Sequence, residues 1–289
     1  MQEYLPGTDL SAVLESGDHM TKNRTNEILS VIRCKLSIDK TIEQLAETYR
    51  SAQPYPHLVL DGLFPTSTLQ SLLAELPPLK SEKWHYESNE RMSKYNFRSA
   101  VQLGDSAYQF ISTVHSAGFL RFLSEITGVE ALLPDPYLTG AGFHVYPSGG
   151  EFNVHADRNM DFYCGLQRRL VMLIYLNRDW KESFGGQLEL WDKDGTRCEK
   201  VIEPIFNRTV MFEIEDKNFH GVRPIVARDV FRTSLILYFH TSNSHLVPHE
   251  SIFTPTQHRN KKAMIKRIGK EITPPFITKL AQRYVAKRW

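Results

Sequence analysis

Gly142-Phe143-His144-Val145-Tyr146 is followed by Pro147-Ser148-Gly149-Gly150 and then by His155-Ala156-Asp157. The first five residues suit a strand. The next four suit a tight turn, because proline pre-sets φ and glycine reaches conformations closed to other residues. The chain therefore re-enters sheet near His155, where the rim of a barrel would lie. Residues i and i+2 of an extended segment point the same way, so His155 and Asp157 share a face.

Outward from this stretch, short apolar runs between Pro, Gly and Asp-rich turns recur to about residue 242, over 138–146, 170–177, 187–191, 199–203, 209–214 and 231–241. Such short strands with little helix between them predict a mainly β fold with flanking helices, a double-sheet roll or barrel. The longest apolar run, Leu170-Val171-Met172-Leu173-Ile174-Tyr175-Leu176, falls far short of the ~20 residues of a membrane helix and reads as a strand buried on both faces.

The flanks have a different texture. Ile28, Val31, Ile32 and Leu36 fall at helical spacing, and behind Asp39 as an N-cap Ile42, Leu45 and Tyr49 form a second stripe that Pro54 and Pro56 end. A strand is predicted over 58–60. Phe64-Pro65-Thr66 then opens a helix with Leu69, Leu72, Leu73 and Leu76 on one face, stopped by Pro77-Pro78. Residues 81–99 are polar and aromatic without clear periodicity, which predicts a long surface loop or lid. One helical stretch is predicted over 106–126, with Phe110, Val114, Phe119, Phe122 and Leu123 inward. From His258 to Trp289 ten Lys or Arg face one acid, Glu271, so residues 1–257 carry about −7 of the net +2. The expected division is a helical extension over 1–52, one domain over 53–245 with its β core at about 137–242, and a basic helical tail over 246–289. The tail is expected to keep its charges in water. A weak contact with an anionic membrane surface is its alternative, and no nucleic-acid partner is expected.

Three cysteines, Cys34, Cys164 and Cys198, are odd in number and widely spaced, which fits neither a disulfide framework nor a CxxC site. The N-terminus lacks a basic start with an apolar core, so the expected compartment is the reducing cytoplasm.

A histidine and a carboxylate on one face of a strand are two thirds of a facial 2-His-1-carboxylate site for ferrous iron. The pattern alone is weak. Eleven histidines and 33 acids in 289 residues give about 1.3 chance hits, and His85-Tyr86-Glu87, in the irregular 81–99 region, reads as the chance one. The third ligand must come from a later strand. His220 follows the strand over 209–214 in a short segment of its own, whereas His240 and His245 come at or after the last strand and His144 precedes the motif on its own short strand. A surface loop position is the competing reading of His220.

On the last strand Arg232 and Ser234 project to one side. A guanidinium inside a barrel demands an anion, and a carboxylate is its natural bidentate partner. That suits a dicarboxylic cosubstrate. The competing reading puts Arg232 on the outer face.

These residues resemble the Fe(II)/2-oxoglutarate-dependent dioxygenase superfamily, in its prolyl hydroxylase-like branch. The likeness is carried by Tyr146 to Gly150 leading to His155-Ala156-Asp157, by the run from Arg169 through Tyr175-Leu176-Asn177-Arg178-Asp179-Trp180, by Gly185-Gly186-Gln187-Leu188-Glu189-Leu190, and by Glu203-Pro204-Ile205-Phe206-Asn207-Arg208 ahead of Phe212. It extends over roughly 54–242. The resemblance implies a double-stranded β-helix core, of jelly-roll or cupin type. It also implies Fe(II) held by His155, Asp157 and His220, and 2-oxoglutarate with its distal carboxylate on Arg232 and the Tyr175 phenol. Tyr146 would lie near the metal-binding end of the cosubstrate, and Ser234 would be a further donor. The interval from His220 to Arg232 is longer than the family commonly shows and needs an inserted turn near Ala227-Arg228-Asp229.

The implied activity consumes dioxygen and hydroxylates an aliphatic C–H, with no catalytic residue beyond the metal ligands. The substrate stays open between a prolyl residue or amino acid, which the branch favours, and a glycan or other intermediate. A barrel that binds a ligand or partner without turnover, and a desaturase or epimerase with the same cofactor, are the alternatives. The oligomeric state is not legible.

Overall fold

The computed structural model describes residues 36, 39–97, 104–242 and 248–254. The stripe of Ile28, Val31 and Ile32, His245 and the basic tail from 258 onward lie outside the described residues.

Two antiparallel sheets face each other. The larger runs β1 (His57–Asp61), β11 (Arg208–Glu213), β8 (Leu166–Tyr175), β13 (Arg232–Thr241), β5 (Gly142–Tyr146), β3 (Ser93–Phe97) and β2 (His85–Ser88), with β4 (Leu133–Pro134) beside β13 and β7 (Met160–Asp161) beside β8. The smaller runs β10 (Cys198–Ile202), β9 (Leu188–Trp191), β12 (His220–Val222), β6 (Phe152–Ala156) and β14 (Ile252–Phe253). Strands consecutive in the chain repeatedly switch sheets, as a double-stranded β-helix requires. The predicted doubly buried strand is β8, central between β11 and β13, with Leu170 to Leu176 buried throughout.

The helices cover the outer face of the larger sheet. Helix α1 (Ile42–Ser51) starts at Thr41, not at Asp39. The Thr41 hydroxyl accepts from the Gln44 N–H while the Gln44 side chain accepts from the Thr41 N–H, a reciprocal cap that Asp39 is two residues too early to make. Its Leu45 and Tyr49 are buried in the main core, and the Tyr49 hydroxyl donates to Glu213 of β11. Helix α2 (Thr66–Ala74) buries Leu69 and Leu72 as expected. The single helix expected over 106–126 is two, α3 (Asp105–Val114) and α4 (Ala117–Thr127). Ser116 caps the second by accepting from the Phe119 N–H, and every predicted inward residue is still buried.

One expectation is corrected. The described part of the stretch expected as a loop or lid, 81–97, holds a hairpin of β2 and β3 that extends the larger sheet, with Tyr95, Asn96 and Phe97 paired to Val145, His144 and Phe143 of β5. The polar residues hid the alternation because Lys94 and Asn96 face a polar cavity rather than solvent or core. Helix α1 lies in the core, and β14 pairs with β6, placing Phe253 opposite His155. Among the described residues no helix is long and apolar enough to cross a membrane.

Candidate metal centre

His155 lies on β6, Asp157 just beyond its end, and His220 at the start of β12. These strands are neighbours, and His220 and His155 are direct partners across the pair. Directly opposed residues hold their side chains a few ångströms apart, and the two rings are 4.4 Å apart between centroids. One ligand atom from each of the three residues lies within 4.8 Å of the other two. The Asp157 carboxylate approaches His155 Nε2 at 3.3 Å and His220 Nε2 at 3.9 Å.

Both imidazoles are oriented in the same way. His155 Nδ1 meets the Asn153 carbonyl at 2.7 Å and His220 Nδ1 meets the Asn218 carbonyl at 3.1 Å. A carbonyl only accepts, so each Nδ1 carries a proton, and Nε2 is the ring nitrogen left to face the centre. His155 Nε2 is fully buried and has no hydrogen bond. Burial, and then the neighbouring His155, lower the His220 pKa to about 4, which keeps that ring neutral at pH 7. Burial would raise the Asp157 pKa, but the close approach of the two histidines, His155 foremost, and the more distant Arg168 prevail and hold the carboxyl well below its usual range. A neutral imidazole at His220 and an ionised carboxylate at Asp157 are the protonation states a divalent cation needs. The donor set and the orphaned Nε2 fit a ferrous ion.

One inner cleft is lined by these three residues together with Tyr146 and Arg232. Arg232 is the largest fully buried side chain, at 1% exposure. Its Nε donates to the Gly186 carbonyl at 2.7 Å, its Nη2 donates to the Tyr175 hydroxyl at 3.3 Å, and its guanidinium lies 5.0 and 4.9 Å from the Tyr146 and Tyr175 ring centres. Gly186 must be glycine here: its φ is +72°, and a Cβ would stand 3.2 Å from Arg232 Cδ. Among the described residues no carboxylate pairs with this guanidinium. A buried unpaired cation is costly, so the cleft suits an anion beside Arg232. Ser234 is fully buried with an unpartnered hydroxyl; it and Tyr175 adjoin Arg232 on the sheet without themselves lining the cleft. The interval between His220 and Arg232 holds a bend at 227–229, with Asp229 at φ 57°, where an extra turn was expected. A larger cavity of about 450 Å³ lies between α2, α3 and α4, but no titratable or ligating side chain lines it.

Sequence reading missed three neighbours of the centre. The Tyr238 hydroxyl donates to Asp157 Oδ2 at 3.3 Å; the alternation that puts Arg232 and Ser234 on one face also carries Tyr238, so that signal was present. Lys94 lines the inner cleft with its ammonium 4.9 Å over the Phe152 ring, and was hidden in the region read as a loop. Phe253 stacks on His155 at 5.4 Å from a strand that was not foreseen. His85 and Glu87 are 3.7 Å apart on β2, neither lines the inner cleft, and His85 is largely exposed.

Residues 141–240 match the family profile described as the 2OG-Fe(II) oxygenase superfamily. The chain is 28% identical over 212 residues to the prolyl 3,4-dihydroxylase OGFOD1 of Ostreococcus tauri, covering 67% of this chain and 39% of that protein. It is 29% identical over 195 residues to the prolyl 3-hydroxylase OGFOD1 of Mus musculus, covering 65% of this chain and 33% of that protein. The chain thus spans less than half the length of the curated relatives it matches. A prolyl-4-hydroxylase crystal structure from Pseudomonas putida superposes with a TM-score of 0.52 at 19% identity, covering 70% of this chain and 100% of that one, a likeness of fold.

Proposed function

Since the chain belongs to the 2OG-Fe(II) oxygenase superfamily, in its prolyl hydroxylase-like branch, we propose that it hydroxylates an aliphatic C–H of a prolyl residue, with Fe(II), 2-oxoglutarate and dioxygen. The observation that carries this reading is the inner cleft itself, lined by two imidazoles, a carboxylate and a buried Arg232 that pairs with no carboxylate among the described residues. A metal-binding group and an anion-binding group in one cleft suit a dicarboxylate with a chelating keto acid head.

His155, Asp157 and His220 would hold the iron, and Arg232, with the Tyr175 phenol and the Ser234 hydroxyl beside it, would bind the distal carboxylate. Bound there, iron with 2-oxoglutarate and dioxygen supplies an oxidant that replaces C–H by C–OH while the keto acid leaves as succinate and carbon dioxide. The chain's own residues bind and orient. Tyr146 and Tyr175 remain neutral phenols, because burial raises both pKa values, so they add no charge beside Arg232, and the Tyr175 hydroxyl accepts from its Nη2. Phe152, Phe212 and Phe253 pack around the two histidines and keep water from them. No side chain is required as a general acid or base. The prolyl substrate is carried over from the names of the curated relatives.

Adding Fe(II) and 2-oxoglutarate without air is expected to give a weak visible charge-transfer band, absent in His155→Ala, and admitting air is expected to release succinate even without substrate. A full-length protein that binds iron but gives neither band nor succinate is a binding barrel and not an oxygenase. Product analysis then separates hydroxylation from desaturation or epimerisation.

A further inference from the structure

Residues 248–254 lie beyond the stretch that the family profile matches, yet they reach a metal ligand. They form a short strap. At its start the His249 N–H donates to Asn159 Oδ1 at 2.8 Å, and the His249 carbonyl accepts from the Asn159 N–H at 3.3 Å. β14 then runs along β6, with Phe253 opposite His155 and the Thr254 N–H donating to the Val154 carbonyl at 3.2 Å. The Phe253 ring stacks on the His155 imidazole at 5.4 Å, with 25° between the planes.

His155 has need of such support. Its Nδ1 is pinned to the Asn153 carbonyl at 2.7 Å, and its Nε2 has no hydrogen bond. One pinned atom leaves the tilt of the ring open, so the aim of Nε2 depends on what lies against the ring faces. Among the described residues two phenyl rings stack there: Phe152, from the same strand, at 3.9 Å, and Phe253, from the strap.

The pin and the strap both lead to Arg91, in the turn between β2 and β3. The Arg91 carbonyl accepts from the Asn153 N–H at 2.9 Å, which backs the residue that holds Nδ1. The Arg91 guanidinium carbon stands 4.4 Å from the centre of the Phe253 ring. A cation over an aromatic face is attracted by the ring quadrupole. Outer partners of a metal-binding imidazole orient it and strengthen its hold on the ion. Arg91 is an exposed residue, so core packing does not account for its placement.

We propose that Arg91 and Phe253 are positioning residues of the metal centre: Arg91 holds the Phe253 ring against His155, and the ring sets the tilt at which Nε2 meets the ion. This rests on the reading of His155, Asp157 and His220 as metal ligands. It needs neither cosubstrate nor turnover.

The test uses the full chain without air, titrated calorimetrically with Mn(II), and its Co(II) form, whose visible absorption reports ligand geometry. Phe253→Leu keeps an apolar side chain and removes the ring. It is expected to weaken Mn(II) binding about tenfold, the low end for an outer partner, and to shift the Co(II) bands, whereas Phe253→Tyr should match the wild type. Arg91→Met keeps the stem and removes the charge, at an expected loss of about threefold. Arg91→Lys restores a cation and should recover most of it. In the Phe253→Leu background Arg91→Met should cost nothing more, because the charge acts through the ring.

Mn(II) affinity of Phe253→Leu within twofold of the wild type overturns the proposal. So do unchanged Co(II) bands in that variant, a loss in Arg91→Met that Arg91→Lys shares in full, or one that persists in the Phe253→Leu background. Should Phe253→Leu not fold, Arg91→Met against Arg91→Lys decides alone, since an exposed side chain can be exchanged without opening the core: a loss with recovery sustains the proposal, and no loss ends it. A wild type that binds no Mn(II) ends the metal-centre reading as well; one equivalent bound, with any of the contrary outcomes above, ends this inference only.

Discussion

His155, Asp157 and His220 form one cluster of ligand-type side chains, and Asp161, Cys164 and His240 form another; each brings its ligand atoms within 4.8 Å. By proximity alone they are equal. Their surroundings differ. In the first, carbonyls anchor both Nδ1 atoms and the Nε2 atoms face a cleft. In the second, Asp161 is already spent: its Oδ2 accepts from Arg168 at 3.1 Å, and its Oδ1 accepts from the backbone of Tyr163 and Cys164. Burial raises the Cys164 pKa, which favours the thiol over the thiolate a metal would require. The Arg168 guanidinium already pairs with the carboxylate that a metal would need. The lesson is that ligand types in reach of one another define a metal site only when no fixed cation already balances their charge.

That contrast can be broken most directly by counting metal. His155→Ala or His220→Ala is expected to take bound Mn(II) from one equivalent to none and to lower succinate release by more than the ~10–100-fold that loss of an outer-shell partner costs. His240→Ala should leave one equivalent bound. Two equivalents in the wild type, one of them lost in His240→Ala, would erase the distinction.

Asp161→Ala strands Arg168, and the pair is almost fully buried. Breaking such a pair costs about 3–5 kcal/mol, so the urea midpoint should drop sharply while metal stoichiometry stays at one. A loss of metal with unchanged stability would reverse the assignment.

Acid should expose the same region. Burial, and then Arg168, lower the His240 pKa to about 4 from an ordinary value of 6.5. The folded state therefore keeps this ring neutral while the unfolded chain protonates near pH 6.5. The stabilisation is fully present above that pH and is lost as pH falls from about 6.5 to 4, on the order of 3 kcal/mol. His115, lowered to about 4 by burial and by His240, adds in the same direction. His240→Gln should flatten the stability profile across that window by about one proton; an unchanged slope would show that His240 is not the group titrating.

The smallest effect sharpens the first cluster. Tyr238→Phe removes one hydrogen bond to Asp157 Oδ2 and should weaken Mn(II) binding roughly three- to tenfold. Equal affinity would mean that the phenol faces the substrate side and does not orient the carboxylate.

Much of this was legible beforehand. The alternation around Arg232, the turn before His155 and the apolar run at Leu170 each record a local rule of strand geometry, and each lies where it was placed. The hairpin of β2 and β3 was not legible, since its inward residues Lys94 and Asn96 are polar and the usual apolar signal of a buried face is absent. The break at Ser116 was missed because both helices keep the same buried stripe across it.

Local chemistry in the chain determined which residues form strands, which caps start the helices and which side chains carry metal-binding atoms. Only the folded state decided that His220 sits across from His155, 65 residues away, because sheet register is set by the packing of all the strands at once. It likewise decided that Arg168 reaches Asp161 while Arg232 reaches no carboxylate among the described residues. Whether a charge is free to bind a ligand depends on its distance to every other charge, and those distances exist only after the sheets close.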